Sequence, residues 1–521
     1  MLPPAGRAAL ISVLRPALGR NGRFFDSTRP HGSGGTGGGM KNYETVIGLE
    51  VHAELATKSK IFCGCTTQFG GPPNTQCCPV CTGMPGTLPV LNRRVVEFAA
   101  AAGLATGCGI TRRCRFDRKN YFYPDLPKAY QISQLYLPIC RNGSIEIETD
   151  AGKKSVGIHE IHIEEDAGKL VHDPLEDCTF IDYNRCGVPL IEIVSEPDMR
   201  SAGEAVAYLE KLRLILQYLG VSDCRMQEGS LRADINLSVR EAGQAELGTR
   251  TEMKNLNSFR AIARAVEGER RRQIEVLESG GRIVQETRRW DDGRNMSFSM
   301  RSKEEAQDYR YFPEPDLPPV EIGEEWLDEI RKRQPELRDA KMLRYEREYG
   351  IPAYDAAILT GSKRLADIFE ETSALCGNPK EVSNWLMVET LRLLREEEQE
   401  PEELTLEPAK LASLIGLIEE GTVNRTTAKE VFEKIFREQV DPVIYVRENG
   451  LAMVRDDGLL RETVRRVIEE NPQSAADFLS GKEKALGFLV GRAMKELRGR
   501  GDPGRVGALL KEALKQRPGS P

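Results

Sequence analysis

Between Tyr43 and about Pro319 the chain reads as strands mixed with helices. Tyr43–Leu55 is a strand pattern whose end alternates. Leu49, Val51, Ala53 and Leu55 take one face and Glu50, His52 and Glu54 the other. Gly157–Glu165 repeats the idea, with Glu160, His162 and Glu164 sharing a face, and Glu192 interrupts the apolar strand Pro189–Val194. In Ser230–Arg240, Leu231, Ala233, Ile235, Leu237 and Val239 face a core, while Arg232, Asp234 and Asn236 line the other side. Leu88–Leu104, Ser201–Leu219 and Ser258–Leu277 have helical spacing. Interspersed strands and helices predict an α+β domain on a mostly antiparallel sheet.

After the proline-rich Phe312–Pro319 strand signals almost vanish. Trp326–Tyr349, Lys363–Cys376 and Lys380–Arg395 read as helices. The acidic run Glu396–Glu403 reads as a solvated linker between two helical units. Beyond it, Leu411, Leu414, Ile415, Leu417 and Ile418 keep helical spacing between Pro408 and Gly421, and Thr427–Glu430 predicts a capping box. The expected domains are therefore 40–320, 321–403 and an all-α tail, 404–521, preceded by an extension, 1–39. That extension is Arg-rich and ends in a glycine tract. It is either an unstructured tail from an over-long start or an organellar transit peptide. The expected location is the cytoplasm in the first case and a mitochondrion or plastid in the second.

Composition narrows the chemistry. The 521 residues are 40% apolar and 29% charged, an ordinary globular balance that excludes a wholly disordered chain. A net charge of −7 excludes coating nucleic acid by charge alone, so any such contact is local. Two basic patches qualify. One is Arg260, Arg264, Arg270, Arg271 and Arg272 with Arg288, Arg289 and Arg294; the other is Lys482–Arg517, with ten basic residues against four acidic. Five of twelve cysteines lie within Cys63–Cys81. Cys63-x-Cys65 and Cys78-x2-Cys81 can supply four thiolates to a closed, structural zinc site, with Cys77 a substitute for Cys78. The acidic faces with their imidazole suit a hard cation such as magnesium or manganese. No phosphate loop, dinucleotide fingerprint or nucleophile elbow is present, so any ATP must be held by metal and basic side chains.

Long motifs then carry a resemblance. Tyr43–His52, Phe116–Gln134, His162–Lys169, Asp182–Glu192 and Glu252–Phe259 resemble the family of B subunits of aspartyl/glutamyl-tRNA(Asn/Gln) amidotransferase, from about Met40 to the C-terminal end. The resemblance implies a cradle-shaped catalytic domain, a helical domain and a mobile tRNA-binding tail. It implies a ligase working with an amidase-type A subunit and a small C subunit. Such a complex phosphorylates the side-chain carboxylate of Glu-tRNA(Gln) or Asp-tRNA(Asn) with ATP and amidates it with ammonia. By the family match, Glu50, His52, Glu165 and Glu192 form the magnesium site. Strand phase favours Glu164 over Glu165, and both stay open as catalytic residues. Cys63, Cys65, Cys78 and Cys81 match the zinc-binding variant. Arg232, Asp234, Asn236 and Lys254 are expected at the ATP or the aminoacyl end, and Arg492, Lys495, Arg498, Arg500, Lys511 and Lys515 on tRNA. The competing readings are a non-catalytic tRNA-binding subunit and a metal-dependent phosphohydrolase.

Overall fold

The computed structural model describes residues 42–516 apart from 174, 303–307, 455 and 498, so Arg498 and the 1–39 extension lie outside the described residues. The architecture is α+β. Nine strands form one sheet: β1 (Tyr43–Glu54), β2 (Gly109–Ile110), β3 (Cys140–Thr149), β4 (Gly152–Glu165), β5 (Pro189–Ser195), β6 (Leu231–Glu241), β7 (Thr251–Lys254), β8 (Glu286–Asp291) and β9 (Met296–Ser302). Their spatial order is 9-8-7-6-1-5-4-3-2, so β1 is central, and every pairing but β7–β8 is antiparallel.

The alternation makes the sheet two-faced. Leu49, Val51, Ile163, Ile191, Ile193, Ala233 and Ile235 are buried on one side. Helices α1 (Arg93–Ala105), α2 (Ala202–Tyr218) and α3 (Phe259–Glu278) cover that side. Ser201 and Ser258 cap α2 and α3, accepting the Glu204 and Ala261 amides. The helix expected from Leu88 starts only at Arg93, because Pro89 lies in the lead-in and Asn92 is its N-cap. The helix expected over Trp326–Tyr349 is two, α4 (Glu324–Lys332) and Arg338–Tyr349, broken at Pro335. Leu327 and Ile330 of α4 belong to the sheet's core, so this compact unit runs on to Arg338 rather than to residue 320.

The second unit, from Asp339, is helical among its described residues. One apolar cluster spans Tyr345 to Val446 and another Leu460 to Leu514. The boundary expected at 403/404 falls inside the first cluster, since Leu393 and Leu394 pack with Leu404, Leu406 and Leu411. The acidic run is not a free linker: Glu396 ends a helix and pairs with Arg392, and Glu397 accepts from Arg437 at 2.8 Å. The next helix opens at Arg425, three residues before Ala428, because the Asn424 side chain accepts the Thr427 amide. No described helix is long and apolar enough to cross a membrane.

Candidate active site

Register across four strands assembles the sheet's polar face. Arg232, His52, Glu192 and His162 lie in one row, on β6, β1, β5 and β4. Glu50 pairs with Asp234, and Asn236 with Glu252 of β7. Paired residues share a face, so the acids scattered along the chain meet here.

Two clusters result. In the first, the His52 Nε2 lies 3.3 Å from Glu192 and 3.5 Å from Glu164, and the His162 Nε2 lies 3.1 Å from the same Glu192 oxygen. Burial disfavours charge on both imidazoles, but Glu192 and its neighbours outweigh it and raise both above their ordinary values. Burial also pushes Glu192 up, and the two histidines pull it well below the usual carboxylate range. The second cluster is Glu50, Asp234 and Glu252, one oxygen of each within 4.8 Å of the others. Asn236 Nδ2 donates to Glu50 at 2.8 Å, and Lys254 pairs with both Asp234 and Glu252. Burial, then the Glu192 charge, raises Glu50.

The magnesium set expected together is therefore divided. His52, Glu192 and Glu164 converge; Glu50 belongs to the second cluster. Glu165 lies on the opposite phase, where its carboxylate takes the Lys128 ammonium and the Ile132 amide. A cavity of about 200 Å³ lies beside Lys128 and Glu165. Hard oxygen donors with one imidazole fit a divalent cation in the first cluster, and three carboxylates fit one in the second. The Arg232 guanidinium is spent on Asp166 at 2.9 Å.

A small sheet of 117–120, 130–133 and 312–313 brings further groups to this face. Lys119 lies over the Tyr309 ring, 5.0 Å from its centroid, and Tyr309 packs edge-on to Tyr121 and Tyr311. Burial lowers the Lys119 pKa, but Glu164, Tyr311 and Glu192 lift it above its ordinary value. Lys119 and Glu252 lie within two of the long motifs, but they are not on the strands whose alternation is strongest. Only register and the small sheet place them.

The four cysteines Cys63, Cys65, Cys78 and Cys81 converge, with every pair of sulfurs within 4.8 Å. Cys78 and Cys81 sulfurs are 3.9 Å apart, against the about 3.8 Å edge of a tetrahedron with zinc–sulfur bonds of about 2.3 Å. Cys77 turns away to the Asn74 carbonyl, which leaves Cys78 as the fourth donor. The fully buried Lys60 ammonium lies 3.6 Å from Cys81.

The basic patches divide too. On α3, Arg272 is committed to the buried Glu269, and so is Arg288 of β8. In the tail, Arg492, Lys495, Lys511 and Lys515 are exposed, with no ion pair to another described residue. Arg500 is instead half-buried and donates to the Gly450 and Leu497 carbonyls, an intramolecular tie.

Comparison with known proteins decides the family. The profile described as GatB/GatE catalytic domain matches residues 45–328, and the one described as GatB domain matches 367–514. The chain belongs to the GatB/GatE family. Among its relatives, the B subunit of the aspartyl/glutamyl-tRNA(Asn/Gln) amidotransferase of Lachnoclostridium phytofermentans is 73% identical over 91% of this chain and 99% of that protein. The proteins of the same name from Agathobacter rectalis and Caldicellulosiruptor bescii are 64% and 60% identical, each over 91% of this chain and 99–100% of their own length. The catalytic-domain match ends at residue 328, inside α4 and so within the unit that carries both carboxylate clusters.

Proposed function

We propose that this chain is the tRNA-binding, carboxylate-activating subunit of an ATP-dependent amidotransferase. It converts Glu-tRNA(Gln), Asp-tRNA(Asn) or both to the amidated forms, with an amidase-type A subunit and a small C subunit as partners. The observation that carries this is the pair of carboxylate clusters on one sheet face, at the family's catalytic domain. A carboxylate is a poor electrophile, so amide formation needs an acyl phosphate, and phosphoryl transfer needs positioning and charge neutralisation. His52, Glu164 and Glu192 would hold one magnesium ion, and Glu50, Asp234 and Glu252 a second. Bound there, magnesium would neutralise phosphate charge and align the triphosphate with the attacking carboxylate.

The chain's own groups set up that site. Asn236 orients Glu50, and Lys254 offsets the charge of Asp234 and Glu252. His162 fixes the Glu192 oxygen that faces His52. Arg232 holds Asp166 at the end of the row. The Cys63–Cys81 knuckle holds a structural zinc, since four thiolates leave no open position. Arg492, Lys495, Lys511 and Lys515 offer the tail's contact with tRNA phosphates. The test is the three-subunit complex with ATP, glutamine and Glu-tRNA(Gln), following ADP and Gln-tRNA(Gln). Stoichiometric formation of both, absent without charged tRNA, supports the reading. ATP hydrolysis indifferent to tRNA supports a phosphohydrolase instead.

A further inference from the structure

The cations around the polar face are mostly spent. Lys254 is held by Asp234 and Glu252, Arg232 by Asp166, and Lys128 by Glu165. Lys119 differs. Its ammonium rests on the Tyr309 ring and makes no hydrogen bond or ion pair with any other described residue. Cation–π contact steadies the charge without using an N–H, so all three donors stay available. Lys119 pairs in register with Gln131, and Ser133 on the same face of that strand pair reaches Glu164 of the first carboxylate cluster at 3.5 Å, while Tyr121 and Tyr311 pack on the Tyr309 ring that carries the ammonium. A half-buried lysine with no ion pair among the described residues, beside a candidate cation site, is arranged for an anion that arrives with the cation.

We propose that the Lys119 ammonium is a catalytic contact for the transferred phosphoryl group, donating to its oxygens both on ATP and on the acyl phosphate. The inference rests on the ATP-dependent reading above. In the first step the substrate carboxylate oxygen bonds to the γ-phosphorus, the bond to the β,γ-bridging oxygen breaks, and ADP leaves. In the second, ammonia nitrogen bonds to the acyl carbon, the carbon–oxygen bond breaks, and one ammonia proton leaves on the phosphate. Negative charge stays on the phosphoryl oxygens throughout, and Lys119 is a side chain with donors to spare for it.

The test uses the three-subunit complex, with Lys119→Met and Lys119→Arg beside the wild type. Glu-tRNA(Gln) and ATP are mixed without ammonia and the ADP burst is timed. Lys119→Met should slow the burst by about 100-fold or more, the scale of losing one charge-stabilising donor. ADP affinity and tRNA affinity, which do not involve the γ-phosphate, should stay within about threefold, and Lys119→Arg should recover part of the rate. A Lys119→Met burst within about threefold of wild type overturns the role, as does a loss of ADP and tRNA binding parallel to the loss of rate. If the wild-type complex itself forms no tRNA-dependent ADP, the ATP reading falls and takes this role with it.

Discussion

Replacing Glu269 by glutamine should destabilise the catalytic unit heavily, although the residue touches neither carboxylate cluster. Its carboxylate is fully buried on α3. One oxygen accepts from Arg272 at 2.6 Å, Thr251 at 2.9 Å and Gln273 at 3.1 Å; the other accepts from Arg272 at 2.9 Å and Ser297 at 3.0 Å and faces Arg288 at 3.5 Å. The amide removes the nearest counter-charge of Arg272, leaves Arg288 with Glu286 alone, and turns an NH2 toward donors. Breaking such a buried pair costs about 3–5 kcal/mol, against a total stability of about 5–15 kcal/mol. At about 2–4 °C per kcal/mol, Tm should fall by about 6 °C or more. Arg271→Gln, at an exposed position on the same helix, should move it by about 1 °C at most. Burial raises the Glu269 pKa, but Arg272, Gln273 and Thr251 outweigh it, so the folded value lies below the ordinary one. The stabilisation is therefore complete above the ordinary glutamate pKa and is lost as pH falls through the lower folded value. Thermal melts from pH 7 down to acid should show the mutant's deficit shrinking. An unchanged Tm at pH 7 would mean that the Glu269 charge is not what offsets Arg272 and Arg288.

Other outcomes follow from the same geometry. Cys78→Ser should lower zinc content, measured by elemental analysis of the purified chain, and Cys77→Ser should leave it at one equivalent. Glu164→Gln should weaken Mn²⁺ binding, read by electron paramagnetic resonance, by about 10-fold or more, while Glu165→Gln leaves it nearly unchanged. Lys495→Gln with Lys511→Gln should weaken tRNA binding and flatten its salt dependence, whereas Arg500→Gln should chiefly lower the melting temperature of the helical unit.

Period two along β1, β4 and β6 is legible in the sequence because each strand is largely polar on one face and apolar on the other, whereas on β5 Glu192 alone marks the polar face. That alternation favours Glu164 over Glu165, and the structure puts Glu164 in the first cluster. What the sequence conceals is register. Nothing local says that Asp234 and Glu252 arrive beside Glu50, or that His162 shares an oxygen of Glu192 with His52, since each pairing joins segments far apart in the chain. The short strands 117–120 and 130–133 lack enough length to announce themselves, so Lys119 is hidden with them. Charge runs mislead for a related reason: Arg272, Arg288, Arg500 and Glu397 have internal partners that only folding supplies. Helix ends are legible where a serine or asparagine caps them. Pro335 breaks a helix that periodicity alone would continue.

If His52, Glu164 and Glu192 hold the cation for carboxylate phosphorylation, losing the Glu192 charge should stop the chemistry and spare tRNA binding. Glu192→Gln in the three-subunit complex, supplied with ATP, Glu-tRNA(Gln) and ammonium chloride, isolates that charge. Gln-tRNA(Gln) formation should fall by about 100-fold or more with tRNA affinity unchanged. Amidation at the wild-type rate would remove the cation from this cluster.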